Sequence, residues 1–209
     1  QQNASYQNTG FTQQFSYIPA RNHFISFITW NQWNTRDIPP IMTNVNKGGN
    51  PKEYQQDFFS RNVLTWNFSK GASHFELKTA LFAEDQNYFL QTTTNNTDAE
   101  VVTLIDSKNL SKGIFIKAKY ELELTENFRM TTGADLGLNT VKSSNYNGLK
   151  SRNTSSMYGE IQKLMWKRLN LGLLLRIEMT DAELLPLMPR FGFNYRVLKN
   201  EQFYFSAGI

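Results

Sequence analysis

The two histidines, His23 and His74, are the first residues in this sequence that could do acid–base or metal chemistry. Each directly follows a short predicted turn, so both imidazoles should lie at the same end of their strands. A catalytic or metal site needs several such groups to converge at one place. The sequence also has no cysteine, no Gly-rich phosphate loop and no nucleophile elbow. We therefore expect no enzyme active site, no bound metal and no cofactor.

Two carboxylate pairs are the next candidates for chemistry. They are Glu84 with Asp85, and Asp181 with Glu183. Paired carboxylates can transfer protons or bind calcium, but adjacent residues in a strand point to opposite faces. The sequence therefore favours solvated charges near strand ends over a working pair.

Two groups of aromatic, amide and charged residues precede the longer predicted loops. Such a mixture suits a large polar ligand that also has some apolar area. We predict that the ligand-binding residues are Trp33, Asn34 and Arg36 before the first long loop, and Asp85, Asn87 and Tyr88 before the second.

The segments that must position these residues alternate between apolar and polar side chains. In residues 169–180, every second residue from Leu169 to Met179 is apolar, and the residues between are mostly polar or small. An amphipathic helix would need a period near 3.6, so a period of two predicts a strand. The pattern predicts ten strands, at residues 8–18, 23–36, 56–68, 73–88, 112–122, 128–142, 152–164, 169–180, 188–197 and 202–209.

The connections between these strands are alternately short and long. The short ones are residues 19–22, 69–72, 123–127, 165–168 and 198–201; the long ones are 37–54, 89–111, 143–151 and a shorter 181–187. Strict alternation places all short turns at one end and all long loops at the other, which is typical of an antiparallel up-and-down transmembrane β-barrel. A soluble β-sandwich also alternates, but strands of about 12 residues exceed the usual 5 or 6 of globular sheets.

The two faces of the predicted strands differ in chemistry. The residues expected to face lipid are Leu171, Leu173, Leu175, Phe75, Leu77, Met130, Leu136 and Ile116. The charges expected to line a wet interior are Arg61, Glu76, Lys78, Asp135, Arg176, Glu178, Arg190 and Arg196. Trp30, Trp33, Trp66 and Trp166 are predicted near strand ends, where indole rings favour the headgroup level.

Composition is compatible with this interpretation. The mean hydropathy of the 209 residues is −0.50, and no run of about 18 apolar residues predicts a membrane-spanning helix. The net charge is +4, but lysine and arginine occur singly along strands, so we expect no nucleic-acid binding. The polar tract Gln91 to Asp98 is expected to be a mobile loop.

Two stretches resemble a known family. Residues 29–40, TWNQWNTRDIPP, resemble a strand-to-loop segment of TonB-dependent outer-membrane receptors of the cobalamin-receptor-like kind found in Bacteroidetes. Residues 185–196, LPLMPRFGFNYR, are similar to a barrel strand of the same receptors. The resemblance implies about ten strands of a barrel of about 22, with an N-terminal plug elsewhere in the protein.

The resemblance also implies a function. Residues 1–209 would be part of the barrel domain of an outer-membrane transporter, without the plug, and we expect the chain to be a piece of a longer protein. The parent would bind a scarce corrinoid or siderophore at its extracellular loops and import it with energy from the TonB complex, which acts through the plug. Its barrel would contact outer-membrane lipid and lipopolysaccharide. Two alternatives remain: a stand-alone ten-stranded barrel, either a pore or an omptin-like enzyme, or a soluble ligand-binding β-sandwich.

Overall fold

The computed structural model describes residues 5–39, 52–93, 101–198 and 201–208, and these residues are almost entirely β-strand. The strands are β1 (Tyr6–Tyr17), β2 (His23–Asp37), β3 (Lys52–Lys70), β4 (Ser73–Thr93), β5 (Val101–Thr125), β6 (Phe128–Ser143), β7 (Leu149–Met165), β8 (Leu169–Thr180), β9 (Glu183–Leu184), β10 (Met188–Leu198) and β11 (Glu201–Gly208). The ten predicted strands are all present, and the two-residue β9 is an addition. No helix in these ranges is long and apolar enough to cross a membrane.

All the strands belong to one antiparallel sheet in which each strand pairs with its neighbours in the chain. The order is β1-β2-β3-β4-β5-β6-β7-β8-β10-β11, and β9 pairs with β8 outside this path. Among the described residues β1 pairs only with β2, and β11 only with β10. The all-β, up-and-down fold class is confirmed, and the sheet has two free edges.

The short turns lie together at one end of the sheet. Gly71, in the turn between β3 and β4, has a φ of 56°. Trp166 and Lys167, in the turn between β7 and β8, have φ values of 49° and 58°. Two consecutive residues with positive φ form the type I′ turn, whose twist matches that of the strands it joins. Asp181 and Ala182 make the same kind of turn at the opposite end, with φ values of 49° and 70°.

Strand residues extend into all four predicted long loops, including 143–151, where β7 begins at Leu149. Residues 89–93 and 101–111, predicted as loop, extend β4 and β5, and β3 begins at Lys52. The predicted loop at 181–187 contains a tight turn and β9. The alternation of apolar and polar residues fades in these extensions of β4 and β5, although backbone pairing continues there. The tract from Gln91 begins in β4, and residues 94–100 lie outside the described residues.

The sheet has one apolar face and one charged face, as predicted. Residues paired across strands share a face, and the registers place all eight predicted lipid-facing residues together on what we call the outer face. All eight predicted lumen charges lie on the opposite, inner face. No apolar residue of the described ranges is buried. A second apolar layer is therefore absent from this part of the chain, and the outer face needs another apolar environment.

The outer apolar band crosses the strands obliquely. On β8 the apolar band is centred at the position of Leu174. Following the residues paired with Leu174 from strand to strand, through β7, β6 and β5, leads to His74 on β4. On β4 the middle of the band is Thr79, five residues further toward the long-loop end. A shift of about one residue per strand, with a rise of about 3.4 Å and a spacing of about 4.8 Å, gives a strand tilt of about 40°. This is the tilt of transmembrane barrels, about 35–45°.

The tryptophans follow the predicted girdle with one exception. Trp66 and Trp33 lie on the outer face toward opposite ends of the band, and Trp166 lies in a short turn. Trp30 was predicted to join them, but this prediction is wrong: it lies in the middle of β2 on the inner face, opposite Arg61.

Candidate ligand-binding wall

On the inner face, nearer to the long-loop end than the apolar band of the outer face, lies a continuous set of polar side chains. Most are amides and hydroxyls, and we call the set the upper belt. It runs across β2 to β6 in two paired rows: Arg36, Gln55, Tyr88 and Ser107, and Asn34, Asp57, Gln86, Asn109 and Ser143. Three of the six predicted ligand-binding residues, Asn34, Arg36 and Tyr88, belong to this belt. Sequence analysis missed Gln86 of β4 and the belt members from β3, β5 and β6, because polar residues near strand ends carry no pattern of their own.

Arg36, Gln55 and Asp57 form the most connected part of the upper belt. The Arg36 guanidinium donates hydrogen bonds to Gln55 Oε1, with Nε 3.2 Å away. The Gln55 amide in turn donates to both Asp57 carboxylate oxygens, at 2.8 and 3.0 Å. Gln55 is only 9% exposed. The amide therefore holds the guanidinium of one strand and the carboxylate of the next in fixed positions, and both charged groups retain further hydrogen-bonding capacity.

Tyr88 extends the belt along β4. Its hydroxyl donates a hydrogen bond to Glu53 Oε1. This hydrogen bond, followed by burial and the negative charge of Glu53, raises the pKa of Tyr88 above its ordinary value of 10.0. The bond needs the phenol proton, so it persists throughout the neutral range and is lost only as the pH rises through the raised pKa. Tyr88 therefore presents a neutral, oriented phenol ring to the interior.

The β5 and β6 side of the belt is built from smaller groups. Ser143 donates to Asn109, which donates to Ser107 at 3.2 Å, and Asn145 also donates to Ser107, at 2.9 Å. Ser107 and Ser143 are buried in this network. Because these groups satisfy one another, they form a rigid polar wall.

The other three predicted binding residues lie on the outer face. The Trp33 ring packs against Phe58, at 5.0 Å between ring centroids, and Phe11, at 6.2 Å. Asp85 pairs with Phe58 and with Leu110 in the registers, and Asn87 lies two residues further along the same face. The structure therefore does not bring the six predicted residues together: they form two groups of three on opposite sides of the sheet.

An aromatic shelf lies on the inner face below the upper belt, and sequence analysis did not anticipate it. Trp30 contacts Phe59 at 6.4 Å between centroids, and Phe82 stacks on Phe115 at 5.9 Å. The Arg61 guanidinium lies 6.0 Å from the Trp30 ring centroid and 3.8 Å from the Glu84 carboxylate. Planar groups with π faces and a nearby cation can bind conjugated or apolar parts of a ligand.

Glycines let these inner-face rings lie flat against the wall. A Cβ on Gly113 would be 2.1 Å from the Phe82 ring, and a Cβ on Gly137 would be 3.1 Å from the Phe115 ring. The ring of Tyr158 covers Gly133 in the same way. Covering a strand glycine with a neighbouring ring is a recurrent device in barrels. It keeps bulky side chains out of the interior space.

A charged belt lies below the shelf. Arg176 is 3.2 Å from Asp135 and 3.1 Å from Glu178, and Ser156 donates to Asp135 at 3.1 Å. One oxygen of Asp135 is buried and makes no hydrogen bond within the described residues. Such a row of opposite charges is typical of the lining of a water-filled barrel interior.

The histidines lie at the short-turn end, as predicted. His23 accepts a hydrogen bond from Trp66 Nε1 at 3.1 Å, and His74 Nδ1 is 2.7 Å from Ser69 Oγ. In the described ranges no group of three or more histidine, aspartate or glutamate residues is arranged to hold a metal ion.

Solved structures with the same fold are outer-membrane receptors and transporters. One is P. aeruginosa FpvA bound to heterologous pyoverdines. The match covers 96% of this chain and 35% of the FpvA chain, with a TM-score of 0.71 and 11% sequence identity. The FrpB iron transporter from Neisseria meningitidis matches 95% of this chain and 36% of its own, with a TM-score of 0.71 and 10% identity. The RagAB peptide importer matches 98% and 32%, with a TM-score of 0.66 and 8% identity. No family model and no curated relative matches the sequence.

These matches define the class of fold. The chain has the fold of a segment of a TonB-dependent receptor barrel, a barrel of the bacterial outer membrane. It spans about a third of the length of the receptors it matches. The solved structures it matches include receptors, transporters and importers.

Proposed function

We propose that residues 1–209 are part of the barrel domain of an outer-membrane active transporter. The observation that carries this proposal is a single tilted sheet with an apolar outer face, a charged inner face and no buried apolar residue among those described. Lipid and lipopolysaccharide would cover the outer face. The TonB complex, acting through a plug domain elsewhere in the protein, would supply the energy for import.

The free edges of the sheet favour a larger barrel over the stand-alone alternatives. A closed ten-stranded barrel needs β1 to pair with the last strand, but within the described residues each of these strands has one neighbour. A β-sandwich needs two packed sheets, whereas the described strands form one. Both edges are therefore available for further barrel strands.

The ligand we propose is a corrinoid or a siderophore, bound by the upper belt and the aromatic shelf. Among the predicted binding residues, Asn34, Arg36 and Tyr88 face the interior that such a ligand must cross. Arg36 supplies a cation and Tyr88 a phenol ring. Trp30 and Arg61 lie below them and suit the planar part of a large ligand.

Substitution of inner-face residues should weaken ligand binding to the full-length receptor. We expect Arg36→Ala and Tyr88→Ala each to lower the affinity by about tenfold, a change of about 1.4 kcal/mol, because each removes one charged or aromatic contact with the ligand. The measurement is binding of radiolabelled cyanocobalamin and of a radiolabelled ferric siderophore to whole cells. If the wild-type receptor binds neither probe, both ligand classes are excluded.

The outer face offers matched controls at the same height. Trp33→Ala removes an aromatic ring beside Asn34, and Asn87→Ala removes an amide beside Tyr88, but both lie on the opposite side of the sheet. Both variants should bind the probes like the wild type. A loss of affinity in the outer-face variants alone would contradict the assignment of the binding wall.

A further inference from the structure

Three lysines lie together on the outer face of β5 and β6, near the long-loop end of the sheet. They are Lys108, Lys112 and Lys142, and we call them the lysine cluster. In the register Lys112 pairs with Thr140, and Lys142 pairs with Leu110, so the three side chains share one face of two neighbouring strands. All three lysines are exposed, and none of them forms an ion pair within the described residues.

The lysine cluster begins at the edge of the hydrocarbon. The oblique course of the apolar band places its middle at Lys117 on β5, one strand away from Thr79. Lys112 is five residues closer to the long-loop end. Each residue of a strand tilted by about 40° adds about 2.6 Å of height, so Lys112 lies about 13 Å from the middle of a band about 25 Å tall. Lys108 and Lys142 lie about 10 Å higher, in the headgroup region.

The two upper lysines border a polar hollow on the outer face. The hollow is lined by Asp85, Asn87, Lys108, Asn109, Leu110, Lys142, Ser143 and Ser144. Asp85 is the one carboxylate in this lining, and the next on this face, Asp106, lies beyond Lys108, further from the bilayer. Each lysine offers three N–H donors, and the Asn87 amide adds two more. The hollow therefore suits an anionic headgroup with several acceptor oxygens, such as a phosphate.

An apolar groove lies directly below the lysine cluster. It is lined by Ile114, Ile116, Leu136, Leu138, Asn153, Thr154, Ser155, Met179 and Ala182. Ser155 of β7 pairs with Leu136 and with Met179, so a small side chain lies between two bulky ones. Ile114 is two residues from Lys112 on the same face, so the groove ends beneath the cluster. Because the groove opens toward the hydrocarbon, it suits a lipid acyl chain.

The opposite edge of the apolar band has no such cluster. The outer-face residues there, from β5 to β8, are Leu122, Phe128, Lys163 and Leu169, and Lys163 is the one cation in this described row. The long loops of outer-membrane barrels are extracellular, so the lysine cluster lies in the outer leaflet. The main lipid of that leaflet is lipopolysaccharide, which carries phosphates and several acyl chains.

We propose that the outer face of β5 to β8 binds one lipopolysaccharide molecule at a defined site. The lysine cluster would bind a phosphate of its lipid A part, and the groove beside Ser155 would hold one of its acyl chains. The inference rests on the membrane location proposed above and narrows a general lipid contact to one site. It does not depend on the transported ligand or on TonB.

Binding of deep-rough lipopolysaccharide to the full-length protein in detergent tests the charged part of the site. Native mass spectrometry counts the bound lipid, and the wild type should hold one molecule per chain. Lys112→Gln with Lys142→Gln should lower the affinity at least tenfold, because it removes two of the three cations. Lys70→Gln with Lys163→Gln is the matched control: it removes two lysines of the same face at the short-turn end and should leave the affinity unchanged.

Two further comparisons test the phosphate and the acyl chain. Dephosphorylated lipid A and phosphatidylglycerol should each bind the wild type at least tenfold more weakly than the probe. Ser155→Leu should fill the groove and lower the affinity about threefold or more. Leucine on the outer face suits the lipid, so the folded fraction should not fall. Ala118→Leu, on the same face of β5 outside the groove, should bind the probe like the wild type.

Three results would overturn the proposal: a wild type that holds no lipopolysaccharide, equal affinities of the wild type and the Lys112 and Lys142 variant, or equal binding of phosphatidylglycerol. An unchanged affinity of Ser155→Leu would overturn the assignment of the groove. If the protein is nevertheless in the outer membrane and binds its transported ligand, only the lipid site is wrong. If the protein is absent from the outer membrane, the proposed function fails as well.

Discussion

Replacing Leu173 with arginine should destabilise the folded barrel by about 2–4 kcal/mol, the cost of a cationic side chain on the lipid face near the middle of the bilayer. Leu173 lies on the outer face of β8, one residue from the middle of the apolar band, and pairs with Ile161 and Phe191. The guanidinium there would have only apolar neighbours. The measurement is the free energy of unfolding of the full-length protein in lipid vesicles, from denaturant titration.

The neighbouring Gly172 provides the control, because it lies on the inner face of the same strand. A Cβ on Gly172 would have only ordinary contacts, the nearest being Glu160 Oε1 at 3.9 Å. Gly172→Arg therefore adds the same charge at the same depth, with space around it and a carboxylate beside it. We expect this variant to cost far less than Leu173→Arg. Equal destabilisation of the two variants would contradict the assignment of the faces and, with it, the membrane-spanning barrel.

The assignment of faces was the part of the fold that sequence analysis predicted best. A lipid face and a wet face impose opposite requirements on alternate residues, so a segment such as β8 carries its orientation in its own sequence. The strand ends above the band were harder to predict. In β5 the stretch from Val101 to Ser111 does not alternate strictly between apolar and polar residues, and its pairing with β4 depends on backbone hydrogen bonds, which leave no period in the sequence.

The candidate site shows a different limit of sequence analysis. Trp33 and Asn34 are adjacent in a strand, so they had to face opposite sides, but which of them faces the interior was not evident from β2 alone. Thr29 and Asn31 are polar on the outer face, and Trp30 is aromatic on the inner face, so the usual alternation is reversed there. The register with β3 and β4 settles the orientation, because it connects β2 to strands with clear faces.

The glycine slots give the second large expected effect. Gly113→Ala would place a Cβ 2.1 Å from the Phe82 ring and 2.6 Å from Asn139 Oδ1. The ring would have to leave the wall and lose its stacking on Phe115. Overpacking of this kind costs about 1–3 kcal/mol. We expect a loss of unfolding free energy in this range, measured as for Leu173→Arg.

A second substitution tests whether the ring is the cause. Phe82→Leu removes the flat ring from above Gly113, so adding Gly113→Ala to Phe82→Leu should cost much less than adding it to the wild type. The difference is the coupling energy of a double-mutant cycle and should be about 1 kcal/mol or more. Gly159→Ala is the control: Gly159 lies on the outer face of β7, with no atom within 4 Å of the added Cβ, and its replacement should be neutral or stabilising. Two results would contradict this arrangement: a cost of Gly113→Ala as small as that of Gly159→Ala, or additive costs of Gly113→Ala and Phe82→Leu. In either case the Phe82 ring does not lie over Gly113, and the aromatic shelf is not held flat against the wall.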